Sequence, residues 1–135
     1  MANREHVEML CTSVDEWNRW RGEDPAFEPQ LAGADLSGAD LMLADLSRAD
    51  LRKANLTLTN LMGADLHDAD LRGANLVGAR LIGIDLTGAD ISGADLSTAE
   101  DLTGEQFEET VGDDSTRLPP GLALPGRWLR PFDAR

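Results

Sequence analysis

The residues of this 135-residue chain that could do chemistry are mainly carboxylates on a fixed beat. Aspartate stands directly before a leucine or isoleucine at Asp35, Asp40, Asp45, Asp50, Asp65, Asp70, Asp85, Asp90 and Asp95. Regular carboxylates can hold a hard cation through oxygen. Close pairs can share general acid and base work. Neither chemistry needs a repeat of five, whereas a repeated backbone corner does need the same hydrogen-bonding group each time. We therefore read these aspartates as structural, bonding backbone or water, with no catalytic residue, no metal and no cofactor. The two histidines, His6 and His67, lie far apart in sequence. Cys11 is five residues from His6, so on a helix the two point in different directions and make no nucleophile–base pair. Zinc-protease, paired-cysteine, nucleotide-loop and dinucleotide motifs are all lacking. The glycines spaced five apart follow from the repeat and say nothing about phosphate.

What positions the aspartates is a stricter repeat. A large aliphatic residue falls every fifth position: Leu36, Leu41, Leu46, Leu51, Leu56, Leu61, Leu66, Leu71, Leu76, Leu81, Leu86, Ile91 and Leu96. Alanine sits two residues before each, except at Thr59 and Ile84. Asp or Asn lies between them in every unit but one, where it is Arg80. Five residues turn an α-helix by about 500°, so the leucines share no helical face. On a flat strand an odd period puts successive leucines on opposite sides. They share one interior only if the backbone turns a corner about once per unit. Glycine two residues after many of the leucines suits a corner with positive φ.

The pattern A-(D/N)-L-x-x resembles the pentapeptide-repeat family. The resemblance implies an all-β fold, a right-handed quadrilateral β-helix of four pentapeptides per coil. Leucine then stacks at the centre, with alanine beside it in a slot for small side chains. Residues 29–98 would make about three and a half coils, roughly 17 Å long at strand spacing.

Residues twenty apart then stack in columns. Asp45, Asp65 and Asp85 form one acidic ladder, and Asp50, Asp70 and Asp90 a second. Arg52 and Arg72, with Lys53 beside them, are placed to neutralise the second. Met42, Met62 and Ile82 form an apolar column with Leu43 beside it; Leu58 and Val77 flank it. Such a row is unusual for a solvated face and is a candidate partner or tail-docking surface. Thr59 puts a hydroxyl in the alanine slot that needs a partner. Ile84 overfills the same slot, which predicts a local bulge where the coil can open.

The ends read as caps. Over residues 1–28, Asn3 is an N-cap, and Val7, Leu10, Cys11, Val14 and Trp17 recur at helical spacing. They predict one helix from about Arg4 to Arg21 covering the first coil, because an open solenoid end exposes apolar layers and strand edges. Trp20 lies off that face, packed under the Gly22–Pro25 turn or half exposed. Over residues 99–135, Thr103 and Gln106 form a capping box, with Leu102 and Phe107 as its staple. A short helix from about Gly104 to Val111 follows, then a proline-rich tail. Leu118, Leu122, Leu124, Trp128, Leu129 and Phe132 make that tail too apolar to be solvated. We expect it to run back over the Met42–Ile82 column, with a homodimer as the second way to cover it.

The formal charge is −13, with acids in excess over residues 1–28, 29–98 and 99–135 alike. That balance disfavours direct nucleic-acid binding and anionic membranes, and favours basic partners. No apolar run is long enough to span a membrane. The N-terminus lacks a signal peptide's pattern, and a lone cysteine suits a reducing cytoplasm. The function expected is a non-catalytic protein–protein interaction or scaffold module with an unknown protein partner. The alternative is an acidic DNA mimic that binds gyrase, a type II topoisomerase, as family members in quinolone resistance do. Against it, a 17 Å rod covers only about five base pairs.

Overall fold

The computed structural model describes residues 2–129. From residue 30 to residue 100 the backbone forms a parallel bridge at every fifth residue. Up to Arg80↔Glu100 in that register each bridge joins residues twenty apart, as in Gln30↔Asp50, Asp35↔Asn55, Asp40↔Asn60 and Asp45↔Asp65. Four such bridges complete one coil, so the chain winds four-sided. Asp65 N–H donates to the Ala44 carbonyl at 3.0 Å, and Leu46 N–H to the Asp65 carbonyl at 2.8 Å. Between sides the chain turns through Leu-x-x-Ala, closed for example by Ala49 N–H on the Leu46 carbonyl at 3.1 Å. The third residue of these turns has positive φ, as type II turns require. Glycine serves this at Gly33, Gly38 and Gly63, but so do Leu43, Arg48, Lys53, Leu58 and Asp68.

The leucines and most of the alanines fill the interior. Leu41, Leu46, Leu51, Leu56, Leu61, Leu66, Leu71 and Leu81 are 0% exposed, and Leu36, Leu76, Leu86, Ile91 and Leu96 nearly so. Each is worth about 1.5–3 kcal/mol of transfer free energy. Thr59 keeps its hydroxyl paired, donating to the Leu36 carbonyl at 2.9 Å.

The winding does not stop at residue 98. Glu100 bridges Arg80, Val111 bridges Asp90 and Arg117 bridges Asp95. The last two bridges span 21 and 22 residues, so the repeat slips while the column is kept. Thr110 and Thr116 occupy the alanine slots of these units and donate to the Leu86 and Ile91 carbonyls at 3.1 Å each. The bridged columns therefore continue into residues 99–117. The expected short helix is a single 3-10 turn, Gly104–Phe107, with Gln106 Oε1 accepting from Thr103 N–H at 2.8 Å. It replaces the fourth side of the fourth coil. Ile84 lies just before that replaced side, and Gln106 Nε2 reaches its carbonyl at 3.4 Å, so the oversized side chain falls where the regular winding opens.

The N-terminal cap is two helices, not one: α1, Arg4–Thr12, and α2, Val14–Glu23. Ser13 breaks them with an extended backbone, φ −157°. Its N–H still reaches the Met9 carbonyl, while its hydroxyl accepts from Glu16 N–H at 3.2 Å and starts α2. Leu10 and Trp17 close the interior above the first coil, each at most 1% exposed.

Candidate functional site

The outward aspartates and asparagines are engaged locally. Asp45, Asp50, Asn55, Asn60, Asp65, Asp70, Asn75, Asp85, Asp90 and Asp95 each accept the N–H two residues on, at 3.0–3.2 Å. This side-chain turn holds the second residue of each of these corners. Serine or threonine at that second residue adds a second bond, as Ser47 Oγ does to Asp45 at 2.6 Å.

The two ladders differ in how charge is met. Arg52 Nη2 lies 2.7 Å from Asp50, and its Nε also lies 3.8 Å from Asp70. Arg72 grips Asp70 at 2.7 Å. Hydrogen bonds from Arg52 and Arg72 hold the Asp50 and Asp70 carboxyls below the usual range, against a smaller cost of burial. The arginine column expected beside Asp50–Asp90 is thus in contact with it. On the other ladder, burial pushes Asp45 up, but Ser47 and Arg21 outweigh it and hold the carboxyl low. Asp65 accepts from His67 N–H at 3.0 Å and contacts its Nδ1 at 2.7 Å.

Asp65, His67 and Asp85 bring one ligating atom each within 4.8 Å of one another, and these are the residues that could hold a divalent ion. Each already serves the corner chemistry found along the rest of the coil. His6 Nδ1 accepts from Gln30 N–H at 3.1 Å, and its ring packs on Trp20 and Phe27. Cys11 is exposed, and burial of its sulfur with Asp35 nearby raises the thiol pKa.

The cap also contains functional side chains that sequence reasoning missed. In a regular coil the Asp45 carbonyl would accept a main-chain N–H from the coil before. Here Trp17 Nε1 supplies it at 2.7 Å. Asn18 Oδ1 accepts from Asp45 N–H at 2.8 Å and its Nδ2 donates to the Leu43 carbonyl at 3.0 Å. Arg21, 2% exposed, donates to the Ser47 carbonyl at 2.6 Å and its hydroxyl at 2.9 Å, and also to the Phe27 carbonyl. Three side chains of one helix thus stand in for a missing strand. Trp20 is half-buried on Trp17 and Phe27.

The remaining feature is the third side of the coil. Its outward column is Asp40, Asn60, Arg80 and Glu100. Met42, Leu43 and Ile82 lie along the following corner, 42%, 65% and 48% exposed, with Met62 half-buried among them. Leu58, 72% exposed, and half-buried Val77 lie on the preceding corner. Leu43 reaches over Gly63, and Leu58 over Gly78. The described tail does not cover this face, which corrects the docking expected from its composition. Trp128 instead packs on Gly112, and its Nε1 donates to the Thr110 carbonyl at 3.0 Å. Arg127 donates to the Phe107 and Thr110 carbonyls. The tail closes the bottom of the coil because Gly112 stands where a leucine would otherwise fill the interior. Phe132 lies outside the described residues.

A filled, four-sided repeat rod whose carboxylates serve its own corners defines the class: a solenoid. The chain belongs to the pentapeptide-repeat family, whose model matches residues 30–63 and 64–100 in eight copies. A pentapeptide repeat protein of the cyanobacterium Cyanothece 51142 is similar at 36% identity and TM-score 0.54, over 63% of this chain and 57% of that one. The chain therefore spans little more than half of that relative. A pentapeptide repeat protein of the Arabidopsis thaliana thylakoid lumen matches at 26% identity and TM-score 0.40, over 72% and 69%. The plasmid-mediated fluoroquinolone resistance protein QnrB1 matches at 22% and TM-score 0.42, over 73% and 58%. No curated protein matches. Among the described residues no helix is long and apolar enough to cross a membrane.

Proposed function

We propose that this chain, wound as a right-handed quadrilateral β-helix, is a non-catalytic protein–protein interaction module of the cytoplasm. Its binding face is the third side of the coil. The observation that carries this reading is the exposure of Leu43 and Leu58 at left-handed corners, φ +64° and +58°. A left-handed L-residue costs roughly 1–2 kcal/mol, and exposing leucine recovers little of it. The other left-handed non-glycine corners carry Arg48, Lys53, Asp68 and Asp101, so Leu43 and Leu58 are the apolar ones, and their placement about one side of the rod fits a surface held for contact. Family membership supports a repeat module of this kind and carries no activity with it. The gyrase-mimic alternative has net acidity in its favour, and the QnrB1 likeness is too distant to add to it.

Cross-linking in cells tests the reading. Wild-type protein is compared with a Leu43→Asp/Leu58→Asp variant, and bands present with wild type are expected to disappear with the variant. Identical bands from both proteins would remove the third side as the binding face. A supercoiling assay at micromolar protein is expected to leave gyrase unaffected.

A further inference from the structure

The third side carries a charge order that is complementary to itself. Its column runs Asp40, Asn60, Arg80, one residue per coil, spaced about 4.8 Å. Arg80 is the unit where Asp or Asn is replaced by a cation. It is exposed, and among the described residues no hydrogen bond or ion pair engages its guanidinium. Asp40 is likewise exposed, bonded by Met42 N–H and Asn60 Nδ2 only at 3.3 Å.

We propose that two copies of this chain pair through this side, antiparallel, about a two-fold axis at Asn60. The proposal rests on the third side being the binding face and names its occupant. An isologous interface makes each residue meet its reciprocal partner. With the axis across the rod at Asn60, Asp40 of each copy faces Arg80 of the other, and Asn60 faces Asn60. The corners follow the same operation. Met42 meets Ile82, Met62 meets Met62, and Leu58 meets Leu58. Leu43 falls on Gly83, an exposed glycine with no side chain of its own to displace. Glu100 passes one step beyond the partner's Asp40, at the rim.

The other arrangements are worse by charge. Parallel copies place Asp40 on Asp40 and Arg80 on Arg80. An antiparallel shift of one coil towards Glu100 places Asp40 on Glu100, and a shift the other way places Asp40 on Asn60 and leaves Arg80 past the end of the partner's column. Like charges brought together at an interface are strongly disfavoured. Four coils make a face under about 20 Å long, well short of the roughly 800 Å² per partner of a standard interface. The pairing is therefore weak and concentration-dependent, a property set by face size rather than poor fit.

Sedimentation velocity of the full chain from micromolar to millimolar tests this. The wild-type mass is expected to rise from the 14.6 kDa monomer towards twice that value. Arg80→Asp alone and Asp40→Arg alone are each expected to weaken association at least about tenfold. The two single variants mixed together are expected to pair, and so is the chain carrying both changes. Pairing of the mixture also shows that each variant is folded. A wild type that stays monomeric at every concentration overturns the proposal. So does a dimer that Arg80→Asp leaves within about twofold. If self-pairing is absent while face-dependent cross-links to another protein persist, this proposal fails and the interaction reading stands. If both are absent, the third side is not a binding face.

Discussion

Trp17 Nε1 donates to the Asp45 carbonyl at 2.7 Å, at the place where another coil's backbone would donate. The contact joins an indole on α2 to the main chain of the first coil across 28 positions of sequence. It does two jobs at once. The ring, 0% exposed, closes the apolar end, and its N–H pairs an otherwise open strand edge.

Trp17→Ala is expected to cost about 3–5 kcal/mol in urea unfolding, the range for a large buried aromatic. Trp17→Phe keeps most of the ring and loses the donor, and should cost about 1–3 kcal/mol. If Trp17→Phe is neutral, the indole N–H is not what pairs the edge.

Thr59 separates hydroxyl from volume in the alanine slot. Thr59→Val keeps the shape and removes the donor to the Leu36 carbonyl. That carbonyl still accepts from Ala39 N–H at 3.1 Å, so the loss should be only about 1 kcal/mol. Ala64→Leu, in a slot with 0% exposure, should cost at least about 1–3 kcal/mol by overpacking. Equal melting of wild type and Ala64→Leu would mean that the slot is not filled.

Leu58→Gly tests strain at the corner. The leucine holds φ +58° while 72% exposed, and glycine adopts that φ freely. Stability should stay level or rise by about 0.5–1 kcal/mol, since relief of left-handed strain exceeds the backbone entropy glycine adds. A loss above about 1 kcal/mol would show that contact with Gly78 outweighs the strain.

The pH dependence follows from the corners and the cap. Seven carboxyls, Asp35, Asp45, Asp50, Asp70, Asp85, Asp95 and Asp113, are held below 3.8 by their own hydrogen bonds. A depressed carboxyl stabilises the fold above its unfolded pKa, and the contribution is lost as pH falls through the folded one. Stability should therefore fall steeply below about pH 3.8 as the seven protonate. His6 adds an earlier, smaller loss. Burial lowers its pKa from 6.5 against the pull of Glu5, so the unfolded chain takes up the proton first as pH drops below 6.5. His6→Gln should flatten the stability curve just below that pH while leaving the acid limb in place.

The coil was legible in the sequence because one large and one small side chain in every five must be buried and nothing else repeats so strictly. The job of the aspartates was legible too, since a corner needs an acceptor at a constant offset. The break at Ser13 was hidden by apolar spacing that runs on from Val7 to Trp17, although Ser13 with Glu16 is a helix-start signal. Arg21 could not be read, because its partners are the Ser47 carbonyl and hydroxyl 26 positions away and the Phe27 carbonyl, and no spacing rule connects them. The winding past residue 98 was obscured for a related reason. Thr110 and Thr116 hold the alanine slots, and the intervals slip by one and two residues. Thr59, a threonine in the same slot, was the hint.

Because every lateral contact in the body of the rod joins residues twenty apart, the chain has a unit of insertion and deletion. Excising residues 51–70 joins Asp50 to Leu71 and removes one whole turn, leaving α2 on the first coil and Trp128 on the last. Excising only five residues keeps the A-(D/N)-L rhythm unbroken, yet swings everything downstream by a quarter turn. The short change is the damaging one. It moves Arg80 off the side that bears Asp40, and it breaks the stacking of every column at the point of excision. Descendants of such a protein can therefore vary in length by whole floors, but not by single stairs.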